Sequence, residues 1–154
     1  MNHYEELNKK ILFKNSKTTN DIGLLIFRLT LGLVLLYGHG AEKLSVILSG
    51  QEIQFMDPIG IGASLSFYMA AFAEGVCAIL LILGFFSRFA SLVLTVNFIT
   101  IFIFHALIIK DGFEVLELRF LYLLPFIALT FTGAGRFSLD DYFFKKRINK
   151  NHSL

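Results

Sequence analysis

Four long apolar runs constrain the fold of this chain more than any other feature of its sequence. The runs are residues 22–37, 64–86, 89–109 and 118–135. An α-helix needs roughly 20 residues to cross the hydrocarbon core of a bilayer, and the runs have about this length. A soluble helical bundle needs a polar face on every helix, which these runs lack. The sequence therefore predicts an all-α integral membrane protein, a four-helix bundle with antiparallel up-down helices.

The distribution of basic residues predicts how the bundle is oriented. Ten of the 14 lysines and arginines lie before the first run, between the second and third runs, or after the fourth. They are Lys9, Lys10, Lys14, Lys17, Arg88, Arg136, Lys145, Lys146, Arg147 and Lys150. Acidic residues, among them Glu52, Asp57, Asp111 and Glu114, predominate in the other two connectors. By the positive-inside rule both termini are cytoplasmic, in a multi-pass protein of the cell (inner) membrane.

The chain divides into three segments. We expect a polar cytoplasmic tail over residues 1–20, a four-helix transmembrane domain over 21–135, and an amphipathic, basic cytoplasmic tail over 136–154. The first helix should continue to about Leu48, because Ala41 and Leu44 keep a helical apolar spacing. The link between the second and third runs is so short that these two helices must form an antiparallel hairpin.

Two ionisable residues lie well inside the apolar runs, where a charge is costly and a function is expected. Arg28 shares one side of the first helix with Gly32, which permits close approach of a neighbouring helix. At a rise of about 1.5 Å per residue, Arg28 lies about 9 Å from the cytoplasmic boundary and Glu74 lies near the midplane. We predict a buried structural ion pair between Arg28 and Glu74, with a functional role for the same residues as the alternative.

A second group of polar residues should converge near the outer ends of the helices and form a ligand-binding cavity. Its members are His39, Glu74, His105, Glu117 and Arg119, with Lys43 beside them and Glu74 as the floor. Such a group among aromatic side chains suits a quinone head, whose carbonyls need hydrogen-bond donors and whose reduction needs proton donors. Alternatively, the histidines bond to backbone carbonyls, and Glu117 and Arg119 extend to water. The spacing selects for no metal, so none is predicted.

The single cysteine, Cys77, excludes a disulfide framework and a C-x-x-C redox pair. A redox role would therefore need a partner protein or a bound cofactor, and no residue is assigned as catalytic. The lipid bilayer is the expected partner and nucleic acid is not. A homo-oligomer is left open.

Several short motifs give the chain a resemblance to a known family. They are Phe27-Arg28-Leu29 followed by Gly32, His39-Gly40 with Lys43, Glu74-Gly75, Leu83-Gly84-Phe85-Phe86-Ser87-Arg88, and Gly133-Ala134-Gly135-Arg136-Phe137-Ser138-Leu139-Asp140. In their order and spacing they resemble the DoxX family of small four-helix membrane proteins, over residues 21–141. The resemblance implies a four-helix bundle associated with respiratory or sulfur redox chemistry, as in membrane subunits of quinone-reducing thiosulfate oxidoreductases. Other members are partners of thiol and superoxide defence enzymes, and distant relatives assist the assembly of membrane proteins.

Residues and resemblance together lead to one expected function and one alternative. We expect a membrane subunit of a redox system that holds a quinone or a related lipid-soluble molecule and is not catalytic on its own. The alternative is a non-catalytic membrane scaffold, or an assembly or chaperone factor for a partner membrane protein, in which the buried charges serve only to fix helix registry.

The charge asymmetry predicts that a reporter active only in the cytoplasm is active when fused to the C-terminus. The same reporter inserted at Glu52, in the acidic connector, should be inactive. Reporter activity at matched expression checks this, and an inactive C-terminal fusion would contradict the orientation.

Overall fold

The computed structural model of the protein describes residues 17–151 and is helical almost throughout this range. The helices are α1 (Lys17–Ser49), α2 (Ala63–Leu83), α3 (Ser87–Ile109), α4 (Phe113–Thr132) and α5 (Leu139–Asn151). The first four are long and apolar enough to cross a membrane. The predicted four-helix membrane bundle is therefore confirmed. Residues 1–16 of the predicted N-terminal tail, and residues 152–154, lie outside the described range.

The outer surface of the bundle is covered with large apolar side chains. More than half of the surface of each of many such residues is exposed, including Leu33, Val34, Val96, Leu107, Ile108, Leu121 and Phe131. A soluble monomer rarely exposes so continuous an apolar surface. The bundle therefore presents this surface to the lipid bilayer, as expected for a multi-pass membrane protein.

The apolar runs locate the helices better than they locate the helix ends. Helix α1 extends to Ser49, as the spacing through Leu48 predicts. Helix α2 stops at Leu83, before its run ends, because Gly84 adopts a left-handed conformation with φ of 67°. Helix α4 begins at Phe113, several residues before its run. An apolar run marks the part of a helix that lies in the hydrocarbon core, whereas the helix itself can extend into polar positions. The runs therefore do not define the helix ends.

Helices α1 and α2 approach each other closely at three glycines. A Cβ atom on Gly32 would lie 2.6 Å from the Ile82 side chain, and one on Gly75 would lie 2.9 Å from Leu44. A Cβ on Gly40 would overlap the backbone oxygen of Glu74. Glycine is therefore required where these helices cross, and the crossing brings the C-terminal half of α1 directly against the middle of α2.

The guanidinium of Arg28 holds together the end of the bundle at which α1 begins, which would be the inner end in the orientation predicted from charge. Arg28 is only 2% exposed, and its Nη1 donates to the carbonyl of Leu81 at 2.9 Å and also to that of Ile82. Its Nη2 donates to the carbonyl of Phe137, in the segment that leads into α5. The last carbonyls of a helix lack intrahelical partners and carry partial negative charge. Arg28 therefore caps the C-terminus of α2 and ties α1 to the chain after α4.

Asp140 plays the complementary role at the start of α3. Its two carboxylate oxygens accept hydrogen bonds from the backbone N–H groups of Phe86 and Ser87, at 2.8 and 2.9 Å. Its own N–H donates to the carbonyl of Gly84 at 2.9 Å. An anion at a helix N-terminus satisfies unpaired N–H groups and interacts favourably with the helix dipole. The α2–α3 turn is thus held between a cation at the end of one helix and an anion at the start of the next.

This cap predicts that Asp140→Ala destabilises the bundle by about 1 kcal/mol, the typical loss on removing a helix N-cap. Asp141→Ala is the matched control, because the neighbouring carboxylate pairs only with Lys145 on the surface of α5 among the described residues. Unfolding of both variants in detergent measures the difference. Equal losses would show that Asp140 does not cap α3.

Candidate functional site

Three of the four membrane-spanning helices contain one turn of π-helix, and each of these turns carries one predicted site residue. The turn in α1 is Leu36–Gly40, which contains His39. The turn in α2 is Phe72–Cys77 around Glu74, and that in α3 is Phe104–Ile109 around His105. A π turn widens the helix and shifts the direction of the side chains that follow, and such turns are frequent at functional sites.

These turns lie around a cavity of about 340 Å³. Its polar lining consists of His39, Lys43, Gln54, Glu74, His105, Arg119 and Tyr122. Its apolar lining consists of Phe55, Met56, Pro58, Phe98, Ile101, Phe104 and Leu118. Four of the five predicted ligand-binding residues therefore come together, from four different helices, with Lys43 beside them.

Glu117 is the predicted site residue that the structure does not bring to the cavity. Its side chain is exposed on α4. Leu118, Arg119 and Tyr122 share one face of this helix and line the cavity, while Glu117 lies on the flank of that face. The expectation that Glu117 belongs to the cavity is therefore corrected.

Glu74 pairs with Lys43 and not with Arg28, so the predicted Arg28–Glu74 ion pair is wrong. Its Oε2 lies 2.7 Å from Lys43 Nζ, and its Oε1 accepts a hydrogen bond of 3.0 Å from Asn97 Nδ2 on α3. The glycine crossing explains why Lys43 is the partner. Gly40 lies against the backbone of Glu74, and Lys43 follows Gly40 by about one helical turn, so its side chain lies beside the Glu74 carboxylate. Arg28 meets α2 at Leu81 instead, about two turns and roughly 10 Å further along the helix.

The Lys43–Glu74 pair is largely removed from solvent. The side chain of Lys43 is 14% exposed and that of Glu74 is 5% exposed. Lys43 Nζ also lies 3.4 Å from the carbonyl of His39, within its own helix. The hydrogen bond from Asn97 to Glu74 joins α3 to α2 at this pair. The pair and the amide thus connect α1, α2 and α3 at the cavity.

A second polar group joins α3 to α4 through His105. Its Nδ1 lies 2.5 Å from Asp111 Oδ2, and its Nε2 lies 3.3 Å from Arg119 Nη2. A guanidinium can only donate, so Nε2 accepts and Nδ1–H donates to Asp111. His105 therefore lies between an anion at Nδ1 and a cation at Nε2, and both neighbours orient its ring. Arg119 Nε is buried and has no hydrogen-bond partner within the described residues.

His39 lies at an exposed part of the cavity. Its side chain is exposed, and its ring packs edge-on against Tyr122, with 6.3 Å between centroids. Tyr122 in turn stacks on Phe98 with 5.0 Å between centroids. An aromatic wall therefore continues from the cavity mouth at His39 into the buried core.

The α1–α2 connector folds over the cavity and is fixed by Asp57. The Asp57 carboxylate accepts hydrogen bonds from the Ser66 hydroxyl at 2.8 Å and from the backbone N–H groups of Gly62 and Ile61 at 2.7 and 3.0 Å. The Ser66 and Gly62 hydrogen bonds lower the pKa of Asp57 from its ordinary value. Phe55 packs edge-on against Phe67 of α2 with 5.5 Å between centroids. The connector is therefore an attached cover of the cavity and not a loose loop.

Three contributors to the site were not predicted from the sequence. The sequence alone identifies Tyr122 as one residue of an apolar run and Asp111 as an acidic residue of a connector, and it assigns neither of them to a site. The π turns have no recognised sequence pattern, although glycines flank His39 and follow Glu74. Among residues 17–151 no three His, Cys, Asp or Glu side chains are grouped so that they could hold a metal ion.

The revised pairing predicts which double mutants show coupled losses of stability. Lys43→Met or Glu74→Gln alone should lower the free energy of unfolding by about 3–5 kcal/mol, because each leaves its buried partner unpaired. The double mutant should recover at least about 1 kcal/mol of the sum of these two losses. Arg28→Met combined with Glu74→Gln should be additive within about 0.5 kcal/mol, since the two residues share no partner. Unfolding in mixed detergent micelles measures all five variants. Coupling between Arg28 and Glu74 would restore the discarded ion pair.

Comparison with known proteins identifies a family and no individual relative. The sequence model of the DoxX family matches residues 23–106, more than half of the 154-residue chain. The match contains His39, Glu74 and His105, and ends before Arg119 and Tyr122 on α4. No curated protein and no solved structure matches the chain.

Proposed function

The chain belongs to the DoxX family of membrane proteins, which is often linked to redox systems, and from this premise we propose that it is the membrane subunit of such a system and binds a quinone or a related lipid-soluble molecule. The proposed site is the cavity between the π turns of α1, α2 and α3. The orientation predicted from charge would place this cavity in the outer leaflet of the cell (inner) membrane.

The observation that carries this proposal is the charge balance of the cavity. Lys43 offsets Glu74, and Arg119 in the lining faces Asp111, which adjoins the cavity, across the His105 ring. A charged ligand would leave an uncompensated charge in a membrane-embedded site, which is costly. An uncharged molecule with hydrogen-bond acceptors adds no charge, so a neutral carbonyl compound fits this balance better than an ion does.

The donors and walls of the cavity suit a flat ring with acceptors at its edges. Lys43 on α1 and Arg119 on α4 are donors contributed by separate helices. The rings of Phe98, Phe104 and Tyr122 form apolar walls. The cavity volume of about 340 Å³ falls within the range of small-molecule pockets.

The same residues have clear roles when a quinone is reduced. Reduction to the quinol takes two electrons and two protons, and charge developing on the carbonyl oxygens is stabilised by fixed cationic donors. Lys43 and Arg119 would provide that stabilisation. His105 can accept and release a proton at its ring nitrogens, and His39 lies where the cavity is more exposed. The electrons would come from a partner redox protein, because the sequence contains only one cysteine.

This function predicts that His39→Ala and His105→Ala lose a quinone that co-purifies with the wild-type protein. Truncating either ring removes part of the cavity wall, and truncating His105 also frees Arg119 from its anchor. Glu117→Gln is the control, because Glu117 lies outside the cavity and should retain the ligand. The protein is purified in mild detergent, and extracted small molecules are quantified by mass spectrometry, with thermal unfolding as the check of the fold. Full retention in both histidine variants would contradict the proposal and favour a scaffold or assembly factor.

A further inference from the structure

A second cavity of about 300 Å³ lies between α2 and α3, beneath the same connector. It is lined by Phe55, Pro58, Ile59, Ser66, Met69, Ala70, Ala73, Leu92, Val93, Val96, Asn97, Thr100 and Ile101. Most of these side chains are apolar. The small side chains of Ala70 and Ala73 on α2 leave the space that the cavity occupies.

The three polar side chains in this lining have partners elsewhere. Ser66 donates to Asp57 at 2.8 Å, Thr100 donates to the carbonyl of Val96 at 3.0 Å, and Asn97 Nδ2 donates to Glu74 at 3.0 Å. A ligand in this cavity would meet few unsatisfied donors or acceptors. Its surface therefore suits hydrocarbon and would hold a polar group poorly.

The two cavities are neighbours. Phe55, Pro58 and Ile101 line both of them. The Asn97–Glu74 hydrogen bond also joins their linings, because Glu74 lines the polar cavity and Asn97 lines the apolar one. The two cavities therefore share a wall, so a chain attached to a ring in the polar cavity lies next to the apolar cavity.

We infer that the ligand is a ring compound with a hydrocarbon tail, and that the α2–α3 cavity is the binding site of that tail. This inference rests on the proposed function, since it assigns the ring to the cavity at His39, Lys43 and His105. In the bilayer the tail leaves lipid and not water, so the cavity favours it through close packing with fixed side chains, and tailed ligands bind more tightly than the ring alone.

The test compares a dimethoxy-methyl-benzoquinone with the same ring carrying a decyl chain. Both are titrated into the wild-type protein in nanodiscs, with concentrations corrected for partitioning into protein-free nanodiscs. The tailed compound should bind about tenfold more tightly after this correction, which corresponds to about 1.4 kcal/mol of better packing in the cavity than in lipid. Val96→Phe narrows the apolar cavity and should lose this preference while retaining its affinity for the ring alone.

Val34→Phe is the matched control, because Val34 is a similarly exposed valine on α1 that lines neither cavity. It should retain the preference for the tailed compound. If Val96→Phe does not fold, the wild-type protein is labelled with a compound that carries a photoreactive diazirine at the end of the decyl chain. Labelling is then expected at Met69, Val93 or Val96, which line the apolar cavity. Labelling confined to other positions would overturn the tail site.

The outcomes separate the two proposals. Equal affinities for the two compounds in the wild type would overturn the tail site and leave ring binding intact. The same preference for the tailed compound in Val96→Phe and Val34→Phe would do so as well, whether both variants keep it or both lose it. Binding of neither compound, or ring binding that is unaffected by both His39→Ala and His105→Ala, would overturn the proposed function and the tail site with it.

Discussion

The hydrogen bonds of the Arg28 guanidinium determine how the rest of the bundle is arranged. A buried arginine inside a membrane-spanning helix is stable only when its donors meet acceptors. Here the acceptors are the last carbonyls of α2 and the carbonyl of Phe137. Three separate parts of the chain thus meet at one side chain, and Asp140 secures the start of α3 beside them. These contacts of Arg28 and Asp140 fix the position of α1 along α2. They therefore also determine which residues of the two helices face each other at the other end of the bundle.

The arrangement at the outer end follows from that position and from the glycine crossing. With Gly40 against the backbone of Glu74, the next turn of α1 places Lys43 beside the Glu74 carboxylate. A larger residue at Gly40 would force the helices apart and separate the pair. The π turns in α1, α2 and α3 lie at this level, where a regular α-helical register would orient the following side chains differently. Helix registry and site geometry are therefore consequences of the same contacts.

The sequence predicts the four spanning helices well because the length of an apolar run is a local property of the chain. Four runs were enough to identify four spanning helices, and the short link after Leu83 was enough to identify a hairpin. The partner of Glu74 was predicted wrongly, because depth along each helix was estimated without knowing where the helices cross. Asp111 and Tyr122 were missed for a related reason: their roles depend on contacts with His105 and His39, which no spacing along the chain reveals. Glu117 was misplaced because nearness in sequence to Arg119 does not imply the same helical face.

Buried charge serves different purposes at the two ends of the bundle. At the inner end, Arg28 and Asp140 bond to backbone groups that helix termini leave unpaired, and their role is explained by the fold alone. At the outer end, the charged side chains bond mainly to other side chains, in or beside a cavity. They are Lys43, Glu74, Asp111 and Arg119. No unpaired backbone group of a helix terminus explains why they are there. Replacing a buried ion pair with apolar residues is often neutral or stabilising, so a purely structural bundle has little need of such pairs. Their presence around an open volume is the physical reason to regard the outer end as a binding site and the inner end as its support.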